Sequence, residues 1–316
     1  MTNSMATRST VNSGGPSPAR LAVAEWGPRD RPTVLLVHGY PDTSAVWHPV
    51  ATLLAARFHV VAYDVRGAGA SSAPAATSEY ALPHLVEDLA AVAAATSPDR
   101  PVHLVGHDWG SIQGWEAVTS ERLNGRVASF TSLYAPSLDH AAAWARERLR
   151  HPTGRGVAEL LGQQARSWYV AAFHLPGVPA LWHHGLGRRW PAFLHRVEQV
   201  PTDDDYPAPT LAADAARGIA LYRANFGNRL AHPRPQSTIV PVQVVVPTRD
   251  HYVSAALSTG LERWVPRLWR SPVDAGHWLP RTHPELVAEY VTELVDHLAG
   301  APESPRLRHD RVAPPR

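Results

Sequence analysis

Short, continuously apolar runs alternate along this chain with longer segments whose apolar residues recur every three or four positions. The runs at 21–26, 33–37, 59–64, 102–105, 127–134, 242–246 and 268–273 read as strands. Runs such as Thr33-Val34-Leu35-Leu36-Val37 carry no polar alternation, the pattern of strands covered on both faces of a parallel sheet. Segments 45–56, 82–95, 109–120, 255–264 and 284–298 show helical periodicity. Strand and helix therefore alternate, which predicts an α/β fold with a mostly parallel sheet flanked by helices. Thr96-Ser97-Pro98-Asp99 and Asn124-Gly125 are turn signals between predicted elements.

The rhythm breaks at 136–236, a stretch rich in Trp, His, Pro and Arg with helical patches and no strand alternation. It reads as a helical cap inserted between two core strands, so that the core comprises 19–135 and 237–300. Residues 1–18 are polar and rich in Ser, Thr and Gly, without the apolar segment of a signal peptide, and read as a disordered leader. Residues 301–316 hold four prolines and little apolar content, and read as a disordered tail. No internal repeat is visible.

Composition narrows the function classes. The chain has 316 residues, 44% hydrophobic and 18% charged, as expected of one large globular α/β domain with an insertion. All 30 basic residues are arginine, yet the net charge is only +2 with acids and bases interspersed, which argues against a nucleic-acid footprint. Cysteine is absent, which excludes disulfides, thiol nucleophiles and thiolate metal sites. No apolar stretch approaches the ~20 residues of a membrane span. The expectation is a soluble cytoplasmic protein, monomer or homodimer, with no cofactor and no metal.

The candidate chemistry starts at Gly106-His107-Asp108-Trp109-Gly110, which ends a predicted strand and opens a predicted helix. The Gly-x-nucleophile-x-Gly pattern makes a tight turn that lifts its central side chain above the sheet, beside the free N–H groups of the next helix. A serine there needs a base to remove its proton. Asp108 is already an anion and can attack a strained or leaving-group-bearing carbon directly, forming an ester. Asp250 follows the strand at 242–246, and His277 follows the strand at 268–273. Loops at the carboxyl ends of such strands converge on one crevice, so Asp108, Asp250 and His277 stand in the order nucleophile, acid, base. Asp139 is an alternative acid, and Asp274 also lies near His277 in sequence. Hydrolysis of the ester passes through an oxyanion, for which the backbone N–H groups of Tyr40 and Trp109 are the candidate donors. Arg66-Gly67-Ala68-Gly69-Ala70-Ser71 lacks the Lys-Ser/Thr ending of a phosphate loop and reads as a structural turn. Asp203-Asp204-Asp205 reads as a solvated cap loop rather than a metal site.

His38-Gly39-Tyr40-Pro41, Gly106 to Gly110 and Gly276-His277-Trp278 resemble the epoxide hydrolases of the α/β-hydrolase superfamily. The likeness extends from Leu21 to Leu298. Segments 127–132, 207–210 and 264–270 look especially like the hydrolase half of actinobacterial proteins that fuse an epoxide hydrolase to a short-chain dehydrogenase. No Gly-x-Gly-x-x-Gly follows a strand in this chain, so a dinucleotide site is not expected. The resemblance implies two cap tyrosines that protonate the epoxide oxygen. Ser167-Trp168-Tyr169 and Leu221-Tyr222-Arg223-Ala224-Asn225 nominate Tyr169 and Tyr222. The cap is rich in Trp, Phe and His, and its Trp168 and Phe173, with His38 and Trp278 of the core, are the candidate lining of an apolar substrate pocket. The expected reaction is hydrolysis of an apolar or aromatic epoxide by water to a vicinal diol, in secondary metabolism or lipid detoxification. A haloalkane dehalogenase sharing Asp108, His277 and Trp109, and a non-catalytic binding protein retaining the pocket, are the alternatives.

Overall fold

In the computed structural model, which describes residues 6–313, nine strands form a single sheet. They are β1 (Thr7–Asn12), β2 (Arg20–Trp26), β3 (Thr33–Val37), β4 (His59–Tyr63), β5 (Val102–His107), β6 (Val127–Leu133), β7 (Val242–Pro247), β8 (Leu268–Val273) and β9 (Arg311–Val312). Their spatial order is β1-β2-β4-β3-β5-β6-β7-β8-β9. The strands from β4 to β8 pair in parallel, while β1, β2 and β9 pair antiparallel at the edges. Every residue of β3, β4 and β7 is buried, which accounts for their unbroken apolar sequence.

Helices α1 (His48–Leu54), α2 (Leu82–Thr96) and α3 (Trp109–Thr119) connect the first parallel strands. Between β6 and β7 the chain leaves the sheet for a helical cap: α4 (Leu138–Arg150), α5 (Gly154–Arg166), α6 (Trp168–Ala172), α7 (Val178–Leu181), α8 (Gly187–Arg196) and α9 (Leu211–Ala231). The core closes with α10 (Leu279–Thr282), α11 (Pro284–Leu298) and α12 (Pro305–Asp310). Apolar side chains pack on both faces of the sheet, and both clusters run on into the cap, one through Leu221 and Tyr222, the other through Leu194 and Tyr206.

Three expectations are corrected. Within the region read as a disordered leader, Thr7–Asn12 is β1, paired with β2 from Thr7 opposite Glu25 to Asn12 opposite Arg20. Its side chains are almost all exposed, so it is held by backbone hydrogen bonds and leaves no hydrophobic alternation to read. Within the region read as a disordered tail, α12 buries Leu307 against Trp269 and Leu294, and β9 pairs with β8. Residues 1–5 and 314–316 of those two regions lie outside the described residues. The helix expected at 255–264 is two 3₁₀ turns, Ala255–Ser258 and Leu261–Arg263, separated at Gly260, whose φ of +81° ends any α-helix.

The Arg66 turn is structural, as read. Arg66 forms a fork-shaped ion pair with Asp88 through Nε (2.6 Å) and NH2 (2.7 Å), with both side chains buried. It also donates to the carbonyls of Ser17, Glu79 and His84.

Candidate active site

Asp108 sits between β5 and α3 with φ +52°, a conformation that costs a non-glycine residue of order 1–3 kcal/mol. The surrounding glycines hold it there. A Cβ on Gly106 would run into the carbonyl of Gly110, and one on Gly110 into the carbonyl of Val37. A Cβ on Gly39 would strike the Asp108 carboxylate itself. The backbone N–H of Tyr40 donates to Asp108 Oδ1 at 2.7 Å, while Oδ2 lies 3.6 Å from His277 Nε2. The second nominated donor, the Trp109 N–H, opens α3 directly beside this carboxylate, whose side chain caps none of the helix N–H groups.

His38 builds the turn that presents Tyr40. Val65 N–H donates to its Nε2 (2.9 Å), so its Nδ1 carries the proton and donates to Gly39 O (2.8 Å). Burial holds its pKa below the usual value, against the pull of Asp64 and other carboxylates, which keeps it neutral. Its expected place in the substrate pocket is therefore corrected to that of a loop brace.

The imidazole of His277 is gripped from both sides. Nδ1 donates to Asp250 Oδ2 at 2.7 Å, leaving Nε2 toward Asp108. The other Asp250 oxygen accepts the N–H groups of Tyr252 (2.7 Å) and Val253 (2.9 Å). Burial alone would depress the His277 pKa, but Asp250 and Asp108 together hold it well above the usual histidine value. The same pairing holds Asp108 below the ordinary carboxylate range, although burial pushes it the other way. Asp139 is committed elsewhere: it pairs with Arg229 (2.6 Å) and accepts the Arg234 N–H (2.8 Å). Asp274 is a surface side chain, paired with Arg249.

Asp108, Trp109, Tyr169, Tyr222 and Tyr252 all line one cavity of about 440 Å³ between core and cap. Its remaining walls are mainly apolar, including Ile112, Leu138, Trp144 and Leu160. Tyr169 comes from α6 and Tyr222 from α9, with ring centroids 5.9 Å apart. Burial raises both phenol pKa values, so each remains a proton donor at neutral pH.

Three further expected pocket residues are placed differently. Trp168 is 68% exposed and lies outside the cavity, because it follows Ser167 on the outer flank of α6. Phe173 packs behind the tyrosines, 4.9 Å from Tyr222 and 5.5 Å from Tyr169. Trp278 is buried behind His277, where its Nε1–H donates to Asp42 (3.0 Å). That carboxyl also accepts the Tyr206 hydroxyl (2.7 Å), and burial pushes its pKa up to about 6.

Sequence reasoning missed two contributors. Tyr252, two residues beyond Asp250, packs edge-on to His277 (5.0 Å) and to Tyr169 (5.8 Å). Its position just past a strand-end acid was the available signal. Gln163 on α5 accepts Ser254 N–H (2.7 Å) and donates to Tyr252 O (3.0 Å), tying the cap to the acid loop. No sequence signal marks that long-range contact. Among the described residues, no group of three or more His, Cys, Asp or Glu side chains is arranged to hold a metal ion. Within the acidic run, Asp203 pairs with Arg281.

Comparison with known proteins bears on the family and the fold. The chain is 39% identical over 309 residues to the probable oxidoreductase EphD of Mycobacterium tuberculosis, covering 95% of this chain and 52% of that protein. It thus spans about half the length of that relative. It is 29% identical over 242 residues to epoxide hydrolase A of the same organism, covering 76% of this chain and 67% of the relative. An epoxide hydrolase structure from Bacillus megaterium superposes with a TM-score of 0.75 at 21% identity, covering 91% of this chain and all of that one. One from Vigna radiata gives 0.71 at 23% identity, covering 93% and 98%. At such identities the likeness concerns the fold. Residues 32–284 match the family described as alpha/beta hydrolase fold, and the chain belongs to that family.

Proposed function

We propose that this protein hydrolyses an epoxide to a vicinal diol through a covalent ester on Asp108. The observation that carries the reading is a carboxylate at the strained turn, with one oxygen anchored and the other facing His277, in a cavity that also presents two protonated phenols. Asp108 Oδ2 attacks a ring carbon, the C–O bond breaks, and Tyr169 or Tyr222 gives its proton to the alkoxide. His277, oriented by Asp250, then takes a proton from water as the water oxygen attacks the ester carbonyl carbon. That carbonyl oxygen is Oδ1, already bonded to the Tyr40 N–H, so the developing oxyanion meets a donor in place, with the Trp109 N–H beside it. Cleavage of the bond between the carboxyl carbon and Oδ2 releases the diol: the proton held by His277 goes to the leaving alkoxide, and the proton left on the attacking oxygen restores the phenol, returning Asp108 as a carboxylate. Of the alternatives, halide release would need N–H donors around the leaving group. The phenols beside Asp108 favour an oxygen leaving group, and a wholly non-catalytic pocket would have no use for the strained carboxylate.

Single turnover in heavy-oxygen water tests the mechanism. The first diol should carry solvent oxygen only at background level, with the label in Asp108. His277→Gln should let the ester accumulate to a mass detectable on the intact chain, and Asp108→Ala should abolish turnover. Label entering the first diol directly would replace the ester with direct attack by water.

A further inference from the structure

The cap carries a surface that the chemistry above leaves unexplained. Along α5, α6 and the turn after them, Leu160, Gln163, Gln164, Ser167, Val170, Ala171 and His174 face the cavity, a helical repeat of three and four. Gln164, Ala171 and His174 are at the same time exposed, as is Leu230 at 46%, so these residues form the cavity's mouth. One position after three of the cavity-facing residues stand Leu161 on α5 (65% exposed), Trp168 at the start of α6 (68%) and Leu175 in the turn beyond it (60%). Each adjoins a residue of the cavity lining in the chain, so the three give the mouth an apolar lip. Large apolar side chains exposed together, rather than singly, mark an interaction surface.

The charge on this part of the cap is one-sided. From 154 to 197 there are five arginines and one acid, Glu159, which pairs with Arg155 and Arg148. Arg166, at the end of α5 between Leu161 and Trp168 in the chain, is exposed and has no acidic partner within the segment, and neither have the exposed Arg188, Arg189 and Arg196 on α8. Arginine beside exposed Leu and Trp is the composition of a surface that sits in a lipid headgroup layer, with the apolar groups below and the guanidinium groups among the phosphates. No described helix is long and apolar enough to cross a membrane, so the contact would be with one leaflet.

We propose that the cap docks on an anionic lipid surface, with Leu161, Trp168 and Leu175 in the headgroup layer and the cavity mouth opening toward the bilayer. A substrate dissolved in the leaflet then enters the cavity without crossing water. The docking is independent of the reaction chemistry, and its test needs no turnover.

The experiment is co-sedimentation of the full chain with vesicles of phosphatidylcholine alone and of phosphatidylcholine with phosphatidylglycerol. Binding should favour the phosphatidylglycerol vesicles and fall as salt is added. Leu161→Ser combined with Leu175→Ser should weaken it by at least about tenfold, since each leucine loses most of its transfer into the lipid. Arg166→Glu should weaken it about fivefold or more on phosphatidylglycerol vesicles while leaving binding to phosphatidylcholine unchanged. Melting curves matching the parent show that the variants are folded. Absence of binding by the parent, or equal binding by the leucine variant, overturns the proposal. So does a dimer in sedimentation velocity that the leucine variant abolishes, because the lip would then be covered by a second copy.

Discussion

At the scale of single residues, His277 is the group whose charge state must change in the proposed reaction. In the free protein it lies between two carboxylates, and their combined charge outweighs burial to raise its pKa. Esterification of Asp108 removes one of those charges and its hydrogen-bond acceptor, so the His277 pKa must fall once the ester forms. In the proposed mechanism the imidazole thereby becomes a base at the step that needs one. Asp108, with its pKa lowered, stays ionised well into acid and, on the proposed mechanism, would keep forming ester there. Acidification should therefore slow ester hydrolysis before it slows ester formation, and rapid-quench mass spectrometry should find more ester as pH falls. An ester level independent of pH would remove His277 from the hydrolytic step.

That Asp108, Asp250 and His277 come together was legible because each is a polar residue at a strand end. Side-chain direction was not: Trp168 and Tyr169 are neighbours in sequence, yet one faces solvent and the other the cavity.

At the scale of elements, the site depends on loops stapled by buried polar groups. Arg66 and Asp88 fix the chain after β4 to α2, and Gln163 fixes the cap to the loop after β7. Asp88→Ala would leave the Arg66 guanidinium buried without its counter-charge. The expected loss is about 3–5 kcal/mol, measurable by urea unfolding. A loss below about 1 kcal/mol would mean that Ser17, Glu79 and His84 alone satisfy the arginine. Element type was readable where the apolar period ran long enough, as for α11, whose bounds match the expected 284–298. It failed at 255–264, where the period is helical but Gly260 and the hydroxyl-to-backbone bonds of Ser258 and Thr259 divide the segment into two turns.

At the scale of the whole molecule, both ends of the described chain close the sheet. β1 covers the edge of β2, and the segment from 301 onward covers β8, with Arg306 bridging to Glu289 and Glu293. Leu307 is the one fully buried side chain of that closing segment. Leu307→Ala should cost about 2–5 kcal/mol and lower the melting temperature by several degrees, read by calorimetry. A melting temperature equal to the parent would show that the segment adds nothing to stability.

The sequence by itself determined the α/β layering, the cap's place between β6 and β7, and which polar residues stand at the carboxyl ends of the strands. These follow from local periodicity and from the steric demand of a turn that only glycines can flank. The tertiary structure alone decided which acid serves His277, which oxygen of Asp108 is anchored, that Tyr252 and Gln163 join the site, and that both ends add strands. Each of these is a contact between residues far apart along the chain, made through backbone groups or side-chain directions that no single-chain pattern encodes.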